Sequence, residues 1–190
     1  MHDDELYYAA QSNSGGDSSS PAILIYTYSF SSPKTDSIKL LLPHASLWRL
    51  GGLAVNDKFI AIKCDSIYIF DRNTKKLFNS FNNYHSEGIK FLNSNRLFLY
   101  KNYDFHPLDD SIKTNLTIYD VEKNHPLLSI RPRFNYLGYT HLVSNFISAK
   151  DDKIAFAQTM PYDVKIFSAK DLTQISEITA PLNNSAEQIE

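Results

Sequence analysis

The sequence contains a single cysteine, Cys64, among 190 residues. That excludes an internal disulfide framework and any zinc site built on cysteine ligands. No stretch approaches the ~20 consecutive apolar residues of a membrane-crossing helix. The opening Met1-His2-Asp3-Asp4-Glu5 lacks the basic and apolar regions of a secretory signal. Lysine and arginine number 19 against 21 aspartates and glutamates, a net charge of −2, and no long basic run occurs. The electrostatic footprint of a nucleic-acid or anionic-membrane binder is therefore missing. No Gly-x-Ser-x-Gly, phosphate loop or dinucleotide fingerprint is present, and Gly15-Gly16 and Gly51-Gly52 read as linker and turn glycines. No window sustains a helical period of 3.6. None of these absences assigns a cellular compartment.

What the chain has instead is strand-forming material. Hydrophobic residues make up 43%, and phenylalanine and tyrosine number 12 each. Aromatic and β-branched side chains suit a pleated, half-buried surface. Cys64 ends one such stretch, Phe59-Ile60-Ala61-Ile62-Lys63-Cys64, and reads as a half-buried strand thiol rather than a nucleophile.

The stretches repeat. Ile67-Tyr68-Ile69-Phe70-Asp71, followed by a polar turn, recurs as Leu116-Thr117-Ile118-Tyr119-Asp120 and as Val164-Lys165-Ile166-Phe167-Ser168. Ile23-Leu24-Ile25-Tyr26-Thr27 shares the pattern near the start. The central isoleucines, Ile25, Ile69, Ile118 and Ile166, lie 44, 49 and 48 residues apart. Periods of roughly 40–50 residues with several short strands each belong to propeller blades. Ahead of each later element come two apolar strands around a polar turn, such as Asn56-Asp57-Lys58, Asn93-Ser94-Asn95-Arg96 and Lys150-Asp151-Asp152-Lys153. Asn and Asp favour such hairpins because they tolerate left-handed backbone. A further strand closes each unit, at 77–81, 127–130 and 172–178. We designate the four strands of a unit a, b, c and d.

The expected fold is all-β and propeller-like, with about four consecutive four-stranded antiparallel blades at 1–43, 51–82, 88–131 and 143–180. A polar tail follows at 181–190. The first blade has b at Leu6–Ala10, c at Ile23–Tyr28 and d at Ile38–Leu42, and lacks strand a. Three strands plus three full blades make about fifteen strands. Propellers close with ~4–8 blades, so the chain reads as a partial propeller, one domain over 1–180.

The Ile-aromatic-Asp endings of strand c resemble those of WD40-like repeats and, equally, of TolB-like and quinoprotein-like propellers. Phe70-Asp71 and Tyr119-Asp120 stand where a WD40 repeat carries Trp-Asp. The resemblance implies a platform for partners more often than an enzyme.

Candidate chemistry concentrates on loops. In an antiparallel meander the b–c loops and d–a connections emerge on one side. That side collects Tyr84, His85, Tyr103, Phe105, His106, Tyr136, Tyr139, His141 and Tyr162, with Met160, Arg131 and Arg133 close by. The insertion 101–114 carries several of these aromatics. Tyr and Arg are over-represented at interface anchors because they combine area with hydrogen bonding, and binding residues concentrate on loops held by a rigid scaffold. These nine residues form the expected binding face. The six histidines, His2, His44, His85, His106, His125 and His141, show no metal-ligand spacing, so no metal or other cofactor is expected. Asp109-Asp110 is the one carboxylate pair outside a hairpin turn, and adjacent residues on an extended chain point to opposite sides.

Three functional readings follow. The first is a non-enzymatic scaffold binding a protein or peptide through the aromatic loop face. The second is a small-ligand-binding or hydrolytic propeller with its site at a central funnel. The third is an incomplete propeller completed by other sequence or a second chain, its edge strands open to self-association. Nucleic acid and membrane insertion are not expected.

Overall fold

The computed structural model describes residues 5–12, 22–31, 35–42, 50–82, 88–102, 111–131, 133–135, 145–150, 152–159 and 162–179. Sixteen strands are present among them, and no helix. No described segment is a helix long and apolar enough to cross a membrane.

Blade 1 is a three-stranded sheet of β1 (Glu5–Ser12), β2 (Ala22–Ser29) and β3 (Thr35–Leu41), in that order and, among the described residues, without strand a. Blade 2 joins β4 (Gly52–Val55), β5 (Phe59–Lys63), β6 (Ile67–Asp71) and β7 (Leu77–Phe81) as a four-stranded meander. Blade 3 contains β8 (Gly88–Phe91), β9 (Arg96–Asn102), β10 (Ser111–Asp120) and β11 (His125–Ile130). A short extra strand, β12 (Arg133–Asn135), also pairs with β10. Blade 4 is β13 (Asn145–Lys150), β14 (Lys153–Thr159), β15 (Tyr162–Ser168) and β16 (Gln174–Thr179). The four-blade all-β reading and its three-stranded first blade are borne out. The chain forms two compact units, Met1–Lys101 with Thr117–Leu127, and Asn102–Leu116 with Leu128–Glu190.

The period appears in the backbone as well. Non-glycine residues with positive φ occur at Lys75 (61°), Asn124 (56°) and Leu172 (59°), each in the turn between strands c and d. They lie 49 and 48 residues apart, the spacing of the strand-c isoleucines. The amide of Lys75 donates to the carbonyl of Asp71, and that of Leu172 to the carbonyl of Ser168, both at 2.9 Å. In both sheets the c–d register shifts beside this turn, between Ile69 and Phe70 and between Ile166 and Phe167. One left-handed residue reverses the chain and is followed by a local irregularity that restores pairing. Strand d of blade 4 was expected from Leu172 but starts at Gln174, because Leu172 is that turn residue.

Alternation gives each central strand two faces, and in blade 2 both are buried. Ile60, Ile62, Cys64, Tyr68 and Phe70 pack against Ile23, Ile25, Leu40 and Leu42 of blade 1. Phe59, Ala61, Ile67 and Ile69 pack against Leu97, Leu99, Tyr119 and Val121 of blade 3. Phe81 and Tyr119 stack across that second junction with ring centroids 3.9 Å apart. Complete burial of one such aliphatic or aromatic side chain contributes about 1.5–3 kcal/mol. Face-on-face packing of successive sheets therefore holds the first unit together.

Candidate functional site

Eight of the nine expected binding residues lie outside the described residues: Tyr84, His85, Tyr103, Phe105, His106, Tyr136, Tyr139 and His141. So do Met160 and Asp109-Asp110. The backbone of Tyr162 opens β15 and pairs with Thr159 of β14.

The strands that carry these loops are described. β10 is ten residues long, twice the length of β6, and its added N-terminal part pairs antiparallel with β12. Ser111 is opposite Asn135, Ile112 opposite Phe134 and Lys113 opposite Arg133. Segment 103–110 leads directly into Ser111, and segment 136–144 leaves directly from Asn135. Paired strands run about 5 Å apart, so the stems of these two aromatic segments stand side by side within the second unit. Sequence reading missed this ribbon. It extended the insertion to Thr114, whereas pairing resumes at Ser111. Arg133-Phe134-Asn135 is too short to show alternation, and Pro132 before it reads as a break.

On the opposite side of the sheets, the a–b and c–d turns are bound to one another. The Asp71 carboxylate accepts from the amides of Asn73 and Thr74, and Asp120 from those of Glu122 and Lys123. The Ser168 hydroxyl accepts from the amide of Lys170. The residue after each of these donates its amide to an a–b turn: Arg72 to Lys58, Val121 to Asn95 and Ala169 to Asp152. Blades 1, 2 and 3 are laced on this side within the first unit. Arg72 donates to the Tyr7 hydroxyl at 2.7 Å and to the Asn56 carbonyl at 3.1 Å. Asn56 donates in turn to the carbonyls of Asn93 and Ser94, and Lys58 pairs with Glu122. These polar groups close turns and join blades.

Two buried features remain. Asp163 and Lys165, only 2% and 6% exposed, lie on one face of β15 with Nζ and Oδ2 3.2 Å apart. Lys165 also pairs with Glu177 on β16. Among the described residues the Asp163 carboxylate accepts no hydrogen bond, and its charge contact is with Lys165. The pair occupies the register positions of Ser66 and Tyr68 in blade 2, so a lysine replaces a core aromatic. That Lys-for-Tyr exchange between repeats was the sequence signal for it. Cys64 is the other feature: burial, reinforced by the Asp65 charge and opposed by Lys63, pushes its thiol up to about 11. At neutral pH it is a protonated and poor nucleophile. Among the described residues no group of three His, Cys, Asp or Glu side chains is arranged to hold a metal ion.

No family model matches the chain, and no relative is found among curated proteins. Solved structures do match. An acylaminoacyl peptidase of Pyrococcus horikoshii aligns with a TM-score of 0.54 at 13% identity, over 93% of this chain and 31% of that one. The β-propeller domain of Myceliophteria thermophila Cps50 (Swd1) aligns with a TM-score of 0.50 at 10% identity, over 95% of this chain and 57% of that one. This chain thus spans about a third and somewhat over half of the two. At such identities the likeness is one of fold, and the fold is β-propeller-like, as the repeats implied.

Proposed function

We propose that the chain is a non-enzymatic propeller scaffold that captures a protein or peptide through its aromatic loops, chiefly 103–110 and 136–144. The observation that carries the reading is the β10–β12 ribbon, with Ser111 opposite Asn135. Two segments carrying Tyr103, Phe105 and His106, and Tyr136, Tyr139 and His141, leave adjacent strands of a rigid sheet. Paired stems reduce the ordering entropy that a binding loop must lose. Tyrosine and phenylalanine then supply contact area with few rotatable bonds. The polar groups of the opposite side, by contrast, are committed to turns.

The test is selection of binders from a displayed random-peptide library on the purified chain, followed by fluorescence titration of an enriched peptide. Tyr103→Ala and Tyr136→Ala should each weaken that peptide at least tenfold, while Phe78→Ala on the outer strand β7 leaves it unchanged. Equal binding by all three variants, or no enriched peptide, overturns the reading.

A further inference from the structure

We infer that two copies of this chain associate head to tail, the far face of blade 4 in one copy covering the outward face of blade 1 in the other. Blade 2 is covered on both sides and defines what a blade face meets. Its side towards blade 1 carries Ile60, Ile62, Tyr68 and Phe70, none more than 6% exposed. The register assigns the equivalent side of blade 1. Tyr26 and Leu24 of β2 match Phe70 and Tyr68 of β6, and Tyr8 and Ala10 of β1 lie opposite them as Ile60 and Ile62 do in blade 2.

Among the described residues of its unit, no sheet covers this side of blade 1. Tyr8 is 48% exposed, Leu41 59% and Phe30, just past β2, 65%. Tyr8 stacks on Tyr26 with ring centroids 4.8 Å apart, and Tyr28 meets Phe30 edge to face at 5.3 Å. The result is a continuous aromatic surface on a sheet whose other face is already core.

The complementary kind of face is the one blade 2 turns towards blade 3, built on Ala61, Ile67 and Ile69, all completely buried. In blade 4 the same register positions hold Ala155, Val164 and Ile166, with Ala157 beside them. All four are only partly buried, and Ile178 next to them on β16 is 56% exposed. The opposite face of blade 4 is buried through Ile154, Phe156 and Phe167. The exposed side is thus a specific blade-to-blade surface left open.

The two open faces suit each other in kind and in size. Twice in the first unit a face of the Ala61–Ile67–Ile69 type, or its blade 1 counterpart with Ile23 and Ile25, packs on the aromatic-bearing face of the following blade. Blade 4 offers the small side chains Ala155 and Ala157, and blade 1 offers the large rings of Tyr8 and Tyr26. Large against small is how facing layers interdigitate without voids. Because the faces differ, each contact joins unlike surfaces, and two copies that make it reciprocally leave neither face open.

The experiment is sedimentation velocity on the full 190-residue chain, with Tyr8→Arg and Ala157→Arg as variants and near-ultraviolet circular dichroism as the check on folding. Wild type should sediment as a dimer and each variant as a monomer. An equimolar mixture of the two variants should recover dimer with weaker affinity, since one intact face of each kind remains. Ile178→Arg, at an already exposed position, replaces Ala157→Arg if that variant does not fold. A monomeric wild type, leaving other propeller sequence as the occupant, overturns the inference. So does a dimer that survives either substitution, or a mixture of folded variants that stays monomeric. Loss of Tyr8-dependent dimer alone would mean aromatic face on aromatic face, and also overturns it. The substituted residues belong to β1, β14 and β16 and not to segments 103–110 or 136–144, so peptide titration is a separate readout.

Discussion

The ring of Tyr100 occupies the place that a Cβ on Gly88 would take. The two residues are cross-strand partners of β8 and β9, and a methyl group built on Gly88 would meet Tyr100 Cε1 at 2.2 Å and Cζ at 2.9 Å. Glycine is needed here for close approach, since it leaves a slot that the aromatic ring fills.

Gly88→Ala should therefore destabilise the first unit by about 1–3 kcal/mol through overpacking, read from the urea midpoint. Combined with Tyr100→Ala, the same substitution should cost less than the sum of the two singles. Strict additivity would show that the ring moves aside freely.

Two of the left-handed turn residues, Lys75 and Leu172, should respond to asparagine in opposite directions. Lys75 is exposed, so Lys75→Asn should stabilise by about 0.5–1 kcal/mol, as Asn tolerates that conformation better. Lys75→Val should cost about 1–2 kcal/mol, because a β-branched residue is poorly accommodated there. Leu172 has the same φ but is buried at 2% exposure. Losing its burial, about 1.5–3 kcal/mol, outweighs the backbone relief, so Leu172→Asn should destabilise. Chemical denaturation of the three variants checks both signs.

The Asp163–Lys165 pair should be costly to break and inexpensive to replace. Lys165→Met leaves a buried carboxylate without its counter-charge and should cost about 3–5 kcal/mol. Adding Asp163→Leu should recover most of that loss. If the double variant is no more stable than Lys165→Met, the pair is not coupled.

Acid should weaken the chain through three carboxylates. Asp71 is held below its ordinary value of 3.8, first by the Thr74 amide and then by the Thr74 hydroxyl. Asp171 is lowered from 3.8 chiefly by the Thr173 hydroxyl, and Glu177 from 4.5 chiefly by Lys165. The native state favours each charged form, so its contribution is full above those ordinary values and is lost as pH falls through the lowered native ones. Urea midpoints should thus be flat around pH 6 and fall below pH 4. Asp71→Asn should be less stable than wild type near pH 6 and lose less on acidification. A slope unchanged by that substitution would exclude Asp71 as a contributor.

Much of the fold was legible because it is written locally. Ile-aromatic followed by Asp or Ser ends strand c before a polar turn in three blades, and the left-handed positions Lys75, Asn124 and Leu172 keep the same period. The three strands of blade 1 were equally visible, in the apolar stretches 6–10, 23–28 and 38–42. The β10–β12 ribbon was not, because three residues carry no periodicity and their pairing joins positions far apart in the chain. The binding face was placed by loop type alone, and only the stems of its two main segments are described.

What the sequence determined by itself is the repeating meander. Alternation of apolar residues with period two and turn residues at fixed offsets are properties of neighbours along the chain. Only the tertiary structure decided which sheet faces are covered. Phe70 of blade 2 and Tyr26 of blade 1 have the same register position and are both aromatic, yet one is buried between blades and the other lies on an open aromatic face. Burial depends on which sheet lies opposite, a non-local fact. The same non-local fact buries Asp163 and Lys165, which alternation places on one face of β15, and so makes their charge contact an interior one.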